Sequence, residues 1–432
     1  MGDHKNIKWV GLQVLTGGFY LGCEAAIGHP AEFIISYPGF DSQRRNKDGK
    51  LIDCGNEHHL ITYLKEHNRM VPYYQFDRKP FQMDDEVDAQ LLQEGKKVPS
   101  PDYSNIDLVV AVPVCSGLSS ATFGAKQGTL DSRNCNMLFL ARFALNTIKP
   151  KVYIFENAPR LVSNAGEKVR AELEHIARDA GYSVVFYRTD TILHDNCQTR
   201  PRTFVYFFRN DFAGKGAPVL GFEKQTVSVS EFLERIPKDA TQQVTMELPD
   251  TCVPLLDYVR HLYGTDWRNK MKTTAIICDL QKSGKLDDWV EWVNQSDKYT
   301  DKVKAIVTRY VAHIHDKESR HLGYYVVSPV VLKKDRMPSA MFKTIPFVLH
   351  NKEDRLYTLR EWMSVMGMPY DFELQGDPKY TFRQIGQNVP ARTGQFIVSE
   401  AVKVINNWDS AERKDEQVML FDNTKQIAKP FH

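Results

Sequence analysis

The stretch Asp107-Leu-Val-Val-Ala-Val-Pro-Val-Cys-Ser-Gly-Leu-Ser-Ser120 decides the fold class of this chain. Its apolar first half predicts a buried parallel strand, and the Pro, Cys, Ser and Gly residues that follow predict a loop at the strand's carboxyl end. Open α/β sheets collect ligands and reactive groups at that edge. Cys115 is therefore a candidate nucleophile, although a cysteine in such a loop also serves as a small buried apolar residue.

Strand and helix patterns alternate on both sides of this stretch, from residue 7 to residue 208. Strand patterns occur at 7–15, 31–36, 73–77, 151–157, 182–187 and 198–208. Helix patterns occur at 20–27, 58–68, 134–148 and 166–180. The polar segment 39–57 is predicted to be a loop. Such alternation predicts βαβ units, and hence an α/β fold with a doubly wound, mostly parallel sheet.

The pattern changes after residue 208, where few buried strand runs occur. Residues 253–264 and 286–315 have helical patterns, so we expect a smaller, helix-rich domain at 209–330. Basic and aromatic residues in its last part suit either a solvated helix face or a nucleic-acid surface. Residues 331–432 return to the earlier pattern, and we expect them to complete the first domain, 1–208.

Composition excludes several classes of protein. A chain of 432 residues, 42% hydrophobic and 25% charged, is long enough for two domains, and its net charge of +2 gives no overall basic excess. Seven widely spaced cysteines without a Cys-x-x-Cys pair argue against a disulfide framework or a zinc ribbon. No apolar run approaches the roughly 18 residues that span a bilayer. We expect a soluble, cytoplasmic protein without a metal site or membrane contact.

Four short stretches carry the candidate chemistry: Pro113-Val-Cys115, Glu156-Asn-Ala158, Gln198-Thr-Arg-Pro-Arg202 and Gly386-Gln-Asn-Val-Pro390. Their order resembles that of the DNA cytosine carbon-5 methyltransferase family, whose hallmarks are Pro-Pro-Cys-Gln, Glu-Asn-Val, Gln-x-Arg-x-Arg and a late Gly-Asn-Ser/Ala-Val-Pro. Further matches, in the family's usual order, are Thr16-Gly-Gly-Phe19, Met337-Pro-Ser-Ala340, Asp354-Arg-Leu-Tyr-Thr-Leu-Arg-Glu361 and Met368-Pro-Tyr-Asp371. The resemblance covers nearly the whole chain except about 209–330.

The resemblance implies covalent catalysis on a cytosine that has been flipped out of duplex DNA. Carbon 5 of cytosine is a poor nucleophile, but a thiolate that adds to carbon 6 creates an enamine-like centre that attacks a one-carbon electrophile. Cys115 would be that thiolate, and Glu156 would share or give a proton at ring nitrogen 3. Partial burial at a strand end would raise the pKa of Glu156. Arg202 and Arg200 would bind the base carbonyl or a phosphate and lower the pKa of Cys115.

The same resemblance implies roles for residues around this centre. Substrate-positioning roles would fall to Pro113, Ser116, Asn157 and Gln198. S-adenosylmethionine would be the methyl donor, and the residues expected to contact it are Thr16, Gly17, Gly18, Phe19 and Gln387. The partner would be DNA, with the smaller domain reading the target sequence, as in restriction–modification enzymes.

The departures from the family pattern cluster on the donor side. Gln13 stands in place of an aromatic residue, Leu15 in place of the first glycine, and Gln387 in place of an asparagine. The second strand does not end in an acid, which the resemblance would place there to hold the ribose hydroxyls of the donor. Glu57 and Asp41 are only distant candidates for that role. In the catalytic loop Val114 replaces a proline and Ser116 a glutamine.

Two alternatives to methylation therefore stay open. One is modification of carbon 5 with a different one-carbon donor, for example hydroxymethylation, or on a free nucleotide. The other is a catalytically inactive DNA-binding relative.

Overall fold

The computed structural model describes residues 7–77, 101–115, 117–118, 134–213, 218–245, 248, 252–272, 275–315, 331, 348–353 and 355–411. Of the site residues and motifs predicted above, Ser116, the stretch Met337–Ala340 and Asp354 lie outside these ranges, and the predicted domains 209–330 and 331–432 lie partly outside them.

A seven-stranded sheet forms the centre of the fold, with the strand order β5-β2-β1-β6-β7-β10-β8. The strands of the chain are β1 (Trp9–Leu12), β2 (Phe33–Ser36), β3 (Gln43–Arg45), β4 (Leu51–Cys54), β5 (Tyr73–Gln75), β6 (Leu108–Ala111), β7 (Val152–Asn157), β8 (Tyr182–Asp190), β9 (His194–Asn196), β10 (Pro201–Arg209) and β11 (Gln225–Thr226). Strand β10 runs antiparallel to both its neighbours, β7 and β8, while β5, β2, β1, β6 and β7 pair in parallel. The prediction of a doubly wound, mostly parallel sheet is confirmed.

Continuous apolar runs form the central strands. Every residue of β1 and β6 is buried, as expected of strands with helices on both faces of the sheet. In the parallel β6–β7 pair Ala111 lies beside Phe155, so both strands end at the same edge. This carboxyl edge is where the residues that follow β6 and β7 come together.

Helices cover both faces of the sheet. The α-helices of the described chain, on the sheet and away from it, are in chain order α1 (Gly18–Ile27), α2 (His58–Glu66), α3 (Cys135–Phe143), α4 (Glu167–Asp179), α5 (Asn210–Ala213), α6 (Val229–Glu234), α7 (Val253–Tyr263), α8 (Trp267–Lys270), α9 (Ile276–Lys282), α10 (Leu286–Gln295), α11 (Asp301–His315), α12 (Leu359–Val365), α13 (Pro378–Gln387) and α14 (Ala391–Ala411). Helices α1, α2, α12, α13 and α14 contribute to the hydrophobic core on one face, and α3 and α4 to the core on the other.

The first and last described helices of the fold cross closely. A Cβ atom at Gly22 of α1 would lie 2.3 Å from the carbonyl oxygen of Ala391, and one at Gly394 of α14 would lie 3.0 Å from the ring of Phe19. Glycine at both positions lets the two backbones approach. Residues beyond 355 therefore belong to the same core as β1, in agreement with the expected return of the chain to its first part.

Helices α7 to α11 build a separate hydrophobic core, centred on Leu255, Trp289 and Val307. The helical pattern over 286–315 is resolved into two helices, α10 and α11, that are separated at 296–300. Ser296 has an extended backbone, and polar residues such as those at Asn294–Asp297 favour helix ends over helix interiors. The domain boundaries at 208 and 330 stay predictions.

The segment 39–57 is not only a loop, which corrects the prediction from its polarity. It contains a β-hairpin, in which β3 pairs antiparallel with β4 and Arg44 lies opposite Asp53. The hairpin was missed because its strands are short and carry exposed charged residues instead of alternating apolar ones. The Asn46-Lys-Asp-Gly49 turn, with Gly49 at a φ of +79°, was the signal that could have revealed it.

Within the described part of the chain, no helix combines the length and the apolar character needed to cross a membrane.

Candidate active site

Cys115 lies in the loop after β6, at the carboxyl edge of the sheet. The N–H of Leu118 donates to the carbonyl of Cys115 (3.0 Å), which closes a turn around the thiol. The N–H of Val114 donates to Oδ1 of Asn136 (2.8 Å), a fully buried residue of α3. Pro113, expected to position the substrate, is buried at the base of the loop. The thiol is thus presented on a loop that hydrogen bonds restrain on both sides.

Asn136 is a residue that sequence reasoning missed. Its Nδ2 donates to the hydroxyl of Tyr37 (2.7 Å), which stands directly after β2 and is fully buried. The side chain therefore joins the catalytic loop to the donor-side end of β2. No local sequence pattern indicates that Asn136 makes this connection, because its hydrogen-bond partners, Val114 and Tyr37, lie in two other parts of the chain.

Glu156 and Arg202 form an ion pair beside this loop. Glu156 lies on β7 opposite Phe204 of the antiparallel strand β10, and Arg202 lies two residues before Phe204 on the same face. Diagonal neighbours of this kind are within reach of long side chains. The Arg202 Nε lies 2.6 Å from the Glu156 Oε1, and the side chains are 23% and 5% exposed. The strand register thus brings together two of the predicted catalytic residues.

Arg200 lies deeper, and only 2% of it is exposed. Its Nη2 donates to the carbonyls of Gly386 (2.6 Å) and Asn388 (3.0 Å), so it anchors the late glycine-bearing stretch. Its Nε and Nη1 are buried, and neither has a hydrogen-bond partner among the described residues. A buried guanidinium with two unused donors is costly unless an acceptor reaches it.

The other predicted positioning residues are also buried at this edge. Asn157, at the end of β7, accepts a hydrogen bond at Oδ1 from the N–H of Ala158 (2.9 Å), while its Nδ2 has no partner in the described part of the chain. The backbone of Gln198 is held at both ends, by Oδ1 of Asn196 (2.8 Å) and by the hydroxyl of Thr191 (2.6 Å). Both side chains are fully buried. Their substrate-positioning roles stay predictions.

The electrostatics of the site couple its thiol to its carboxyl group. Burial raises the pKa of Glu156, and the positive charges of Arg202 and Arg200 oppose this. Cys115 is exposed to solvent, yet enough protein surrounds it that desolvation raises the pKa of its thiol. The negative charge of Glu156 raises it further, and Arg202 and Arg200 lower it. The two arginines act in the expected direction, but they do not bring the pKa of the thiol below its ordinary value.

On the donor side, the residues expected to contact the cofactor are packed against protein. The hydroxyl of Thr16 donates to the carbonyl of Gln384 (3.0 Å), and the ring of Phe19 packs edge-on against Phe204. The N–H of Gly18 donates to Oδ1 of Asn388 (2.9 Å), and a Cβ at Gly17 would lie 2.6 Å from the side chain of Leu60. The side chains of Thr16 and Phe19 therefore serve the protein interior, which leaves only the backbone of this loop for a donor.

Gln387 alone among the five expected donor contacts is exposed, and its Oε1 accepts a hydrogen bond from Nδ2 of Asn56 (2.9 Å). Gln13 and Leu15 have φ angles of +48° and +53°, in the left-handed region that favours glycine. The substitution of Leu15 for glycine therefore leaves the backbone conformation of a glycine turn in place. Contact of these residues with a donor stays a prediction.

The structure places the carboxyl group of Glu57 beside the end of β2, where the sequence has no acid. It is fully buried, and its Oε2 accepts a hydrogen bond from the Tyr73 hydroxyl (2.8 Å). Burial raises the pKa of Glu57 to about 7, while the Ser36 and Tyr73 hydroxyls and the N–H groups of Leu15 and Val14 favour its charged form. From the sequence it was a distant candidate, because the hairpin separates it from β2.

Two buried acceptors at this place have no hydrogen-bond donor among the described residues: Oε1 of Glu57 and Oε1 of Gln13. A ligand that brings hydroxyl or amino groups would satisfy them, and S-adenosylmethionine carries both on its ribose, adenine and amino-acid parts. The acceptors thus fit the nucleoside chemistry of that donor. No group of three His, Cys, Asp or Glu side chains in the described ranges is placed to hold a metal ion.

Comparison with known proteins agrees with this geometry. A model of the C-5 cytosine-specific DNA methylase family matches residues 70–403. DNA (cytosine-5)-methyltransferase 3 of Arabidopsis thaliana is 22% identical over 334 residues, which are 70% of this chain and 23% of that protein. Type II methyltransferase M.PspPI of Psychrobacter is 24% identical over 310 residues, 70% of this chain and 65% of that protein. This chain thus spans less than two thirds of the length of either relative.

A solved structure shares the fold. It is described as a DNA modification methyltransferase encoded within an Escherichia coli prophage, and it superimposes with a TM-score of 0.52 at 17% identity over 93% of this chain and 99% of that one. The fold of this chain is therefore that of the class I DNA methyltransferases. Since the family model covers most of the sequence, and the strand register assembles the residues that its motifs predict, this chain belongs to the C-5 cytosine-specific DNA methylase family.

Proposed function

We propose that this protein modifies carbon 5 of cytosine in DNA through a transient bond between the Cys115 sulfur and carbon 6 of a flipped base. The observation that carries the proposal is the Glu156–Arg202 ion pair, with 2.6 Å between Oε1 and Nε, at the strand ends beside the Cys115 loop. A pyrimidine over that thiol meets a carboxyl group and a guanidinium group. These are the proton donor and the electrostatic support that addition to the ring requires.

The reaction begins when the Cys115 thiolate bonds carbon 6. The electron pair of the ring double bond moves towards ring nitrogen 3, and the proton that nitrogen 3 takes up comes from Glu156. Since a negative Glu156 raises the pKa of the thiol, the reactive form has the proton on Glu156 and the negative charge on sulfur. Once the proton has moved to the base, the sulfur is covalently bound and neutral, so the two negative charges never coexist.

Arg200 and Arg202 support the base during this step. The unused Nε and Nη1 donors of Arg200 suit an acceptor such as the base carbonyl or a flanking phosphate. The backbone carbonyls of Gly386 and Asn388 fix its guanidinium group, so no reorganisation is needed when the base arrives. Arg202 keeps Glu156 oriented within the site.

S-adenosylmethionine, when bound, supplies an electrophilic methyl group to carbon 5. Gln13 and Glu57 would hold it through their unused acceptor oxygens, and Gln387 would line the rim of its site. Nitrogen 3 then returns its proton to Glu156. The carbon 5 proton is lost to water, its bonding electrons re-form the ring double bond, and the Cys115 sulfur leaves carbon 6 as the thiolate, which restores the starting enzyme. The substrate is duplex DNA, and the helical region that includes α7–α11 would read the target sequence.

Transfer of labelled methyl groups, together with tritium release from carbon 5 of cytosine, tests the proposal. The wild-type protein is expected to release tritium, to label DNA as 5-methylcytosine and to form a covalent complex with 5-fluorocytosine duplexes. Cys115→Ser should do none of these, while Cys278→Ser, which removes another exposed cysteine, should do all three. Absence of both tritium release and covalent complex in the wild type would overturn the proposal.

Modification with a different one-carbon donor is the second candidate, and it is favoured by the side chains of Gln13 and Leu15, which stand where the family pattern has an aromatic residue and a glycine. It predicts that tritium is released from cytosine although no label passes from S-adenosylmethionine to DNA. Comparison of duplex DNA with free dCMP in the same assay identifies the acceptor.

A further inference from the structure

We infer that the cleft between the β3–β4 hairpin and α13 binds a phosphate of the DNA backbone next to the flipped base, through Arg44 and Arg383. This surface was predicted to be a loop and has no part in the chemistry described above. The inference rests on the proposed function, because it takes the phosphate to be that of the DNA substrate.

Hydrogen bonds fix both the turn of the hairpin and its position against α13. Oδ1 of Asn46 accepts hydrogen bonds from the N–H groups of Asp48 (3.0 Å) and Lys50 (2.8 Å), which fixes the turn. The hairpin base is joined to α13, since the N–H of Asp377 donates to the carbonyl of Ile52 (3.2 Å) and Nε2 of Gln384 donates to the carbonyl of Cys54 (2.5 Å). The backbone segments that carry Arg44 and Arg383 are therefore held at a set separation.

The cleft has a volume of about 420 Å³, and its walls include Arg44, Asp53, Asn56 and Arg383. The side chains of Arg44 and Arg383 are 56% and 50% exposed, so each can reach a ligand without losing its aliphatic packing. The guanidinium of Arg44 lies over the ring of Tyr380, 5.3 Å from its centroid. Stacking of this kind orients a planar guanidinium for recognition of a phosphate.

Positive charge exceeds negative charge around this cleft. The exposed cations of the hairpin and of α13 are Arg44, Arg45, Lys47, Lys50, Lys379 and Arg383. The acids of the same two elements and their ends are Asp41, Asp48, Asp53 and Asp377. Asp53 is shared by Arg44 (3.3 Å) and Arg383 (3.7 Å). One carboxylate between two arginines leaves a positive excess for an anionic ligand.

The position of the cleft matches a duplex seated on the active site. Helix α13 has ten residues, about 15 Å in length, and its last turn carries Gly386, whose carbonyl binds Arg200. Arg383 precedes Gly386 by three residues, so the cleft opens within one to two helical turns of the residues that handle the base. Phosphates flank a flipped nucleotide on both sides at this range.

The test is the salt dependence of DNA binding, measured by fluorescence anisotropy on the full-length protein with a duplex that contains the target base. The variants are Arg44→Ala, Arg383→Ala and the double substitution, with Arg44→Lys as the charge-conserving form. Each lost phosphate contact should lower the slope of log K against log salt by about 0.9, and weaken binding near 0.15 M salt about fivefold. Arg178→Ala, which removes an exposed arginine in the last turn of α4, is the matched control and should change neither value.

The outcomes separate this inference from the proposed function. An unchanged slope in the double variant, with normal wild-type binding, overturns the phosphate site and leaves the catalytic proposal intact. A reduced slope in the double variant, with neither tritium release nor a covalent complex in the wild type, supports the site and overturns the catalytic proposal. A wild type that does not bind duplex DNA overturns both. Arg44→Lys should keep the wild-type slope, whereas loss of binding in that variant would mean that packing of the hairpin, not charge, is responsible.

Discussion

The base side and the donor side of the site differ in the polar groups that they leave unsatisfied. Around Cys115 the unused groups include three hydrogen-bond donors, Nε and Nη1 of Arg200 and Nδ2 of Asn157, whereas beside β1 and β2 they include two acceptors, Oε1 of Gln13 and of Glu57, as judged over the described residues. The first set suits carbonyl and phosphate oxygens, and the second suits hydroxyl and amino groups. The base side and the donor side therefore suit ligands of opposite hydrogen-bonding character, and each side can be tested separately.

The substitution Glu156→Gln should have the largest effect. It should separate the proposed proton donation by Glu156 from the effect of its charge on the pKa of Cys115. Loss of the proton donor is expected to slow tritium release and adduct formation about 10²- to 10⁴-fold. The thiol should nevertheless react faster with iodoacetamide at pH 8, because the charge that raises the pKa of Cys115 is gone. The measurements are the two rates on the same preparation.

Glu172→Gln is the matched control for that prediction, because it also breaks an Arg–Glu pair with a 2.6 Å N–O distance, that of Arg142 and Glu172. Neither rate should change in this control. If Glu156→Gln lowers the rate of adduct formation and the rate of thiol alkylation together, the substitution damages the fold. The result would then give no support to a coupling between the proton on Glu156 and the charge on Cys115.

The substitution Asn136→Ala should come next and should show that the two sides are mechanically connected. Without Oδ1 of Asn136 the Val114 N–H loses its partner, and a displaced thiol is expected to cost up to about 100-fold in the rate of adduct formation. Tyr37→Phe, which removes only the donor-side end of the same connection, should cost less. Equal rates in both variants and the wild type would show that the loop holds its shape unaided.

Glu57 should make the stability of the donor side depend on pH. Its folded pKa of about 7 lies above the ordinary value of 4.5, so its stabilising contribution is complete below pH 4.5 and is lost as the pH rises through 7. The loss is about 2–3 kcal/mol in the free energy of unfolding. Glu57→Gln should remove this decline, measured by urea unfolding at pH 5 and pH 8.

His59 changes stability in the opposite direction over an overlapping range, because burial lowers its pKa to about 4. Its contribution is present above pH 6.5 and is lost as the pH falls through 4. The comparison must therefore be the difference between Glu57→Gln and the wild type at each pH, since the wild-type curve alone combines both groups. An unaltered difference between pH 5 and pH 8 would contradict a buried, titrating Glu57.

Leu15→Gly should have the smallest effect. Glycine adopts the φ of +53° without strain and removes a side chain from the turn beside Glu57, so we expect S-adenosylmethionine to bind up to about tenfold more tightly. Leu15→Ala removes most of the side chain but keeps the strained backbone, and should give a smaller gain. Isothermal titration calorimetry of both variants measures the affinity for S-adenosylmethionine. If both variants have the affinity of the wild type, the side chain of Leu15 does not obstruct the donor.

The sequence predicts the base side better than the donor side for a physical reason. Cys115 follows an apolar strand, Glu156 lies next to the end of one, and Arg202 lies at the start of another. The pairing of β6, β7 and β10 brings these positions together once the sheet order is known. The local sequence pattern and the strand register are therefore enough to predict the base side. The same holds for the doubly wound sheet, because its buried strands have continuous apolar runs.

The donor side depends on contacts that no local pattern encodes. Glu57 reaches the end of β2 only because a hairpin of short, charged strands returns the chain to that place. Asn136 acts through hydrogen bonds to Val114 and Tyr37, 22 and 99 residues away. Thr16 and Phe19 have residues of the expected type, yet packing against Gln384 and Phe204 decides what their side chains contact.

The crossing of α1 and α14 at Gly22 and Gly394 has a consequence for biosynthesis. The carbonyls that hold Arg200 and the helix that covers β1 both come from the last part of the described chain, after residue 385. A nascent polypeptide on the ribosome can pair its early strands, but it cannot complete either the hydrophobic layer or the guanidinium anchor until that part has emerged. The base pocket that we propose is thus complete only after the residues that follow 385 have been made.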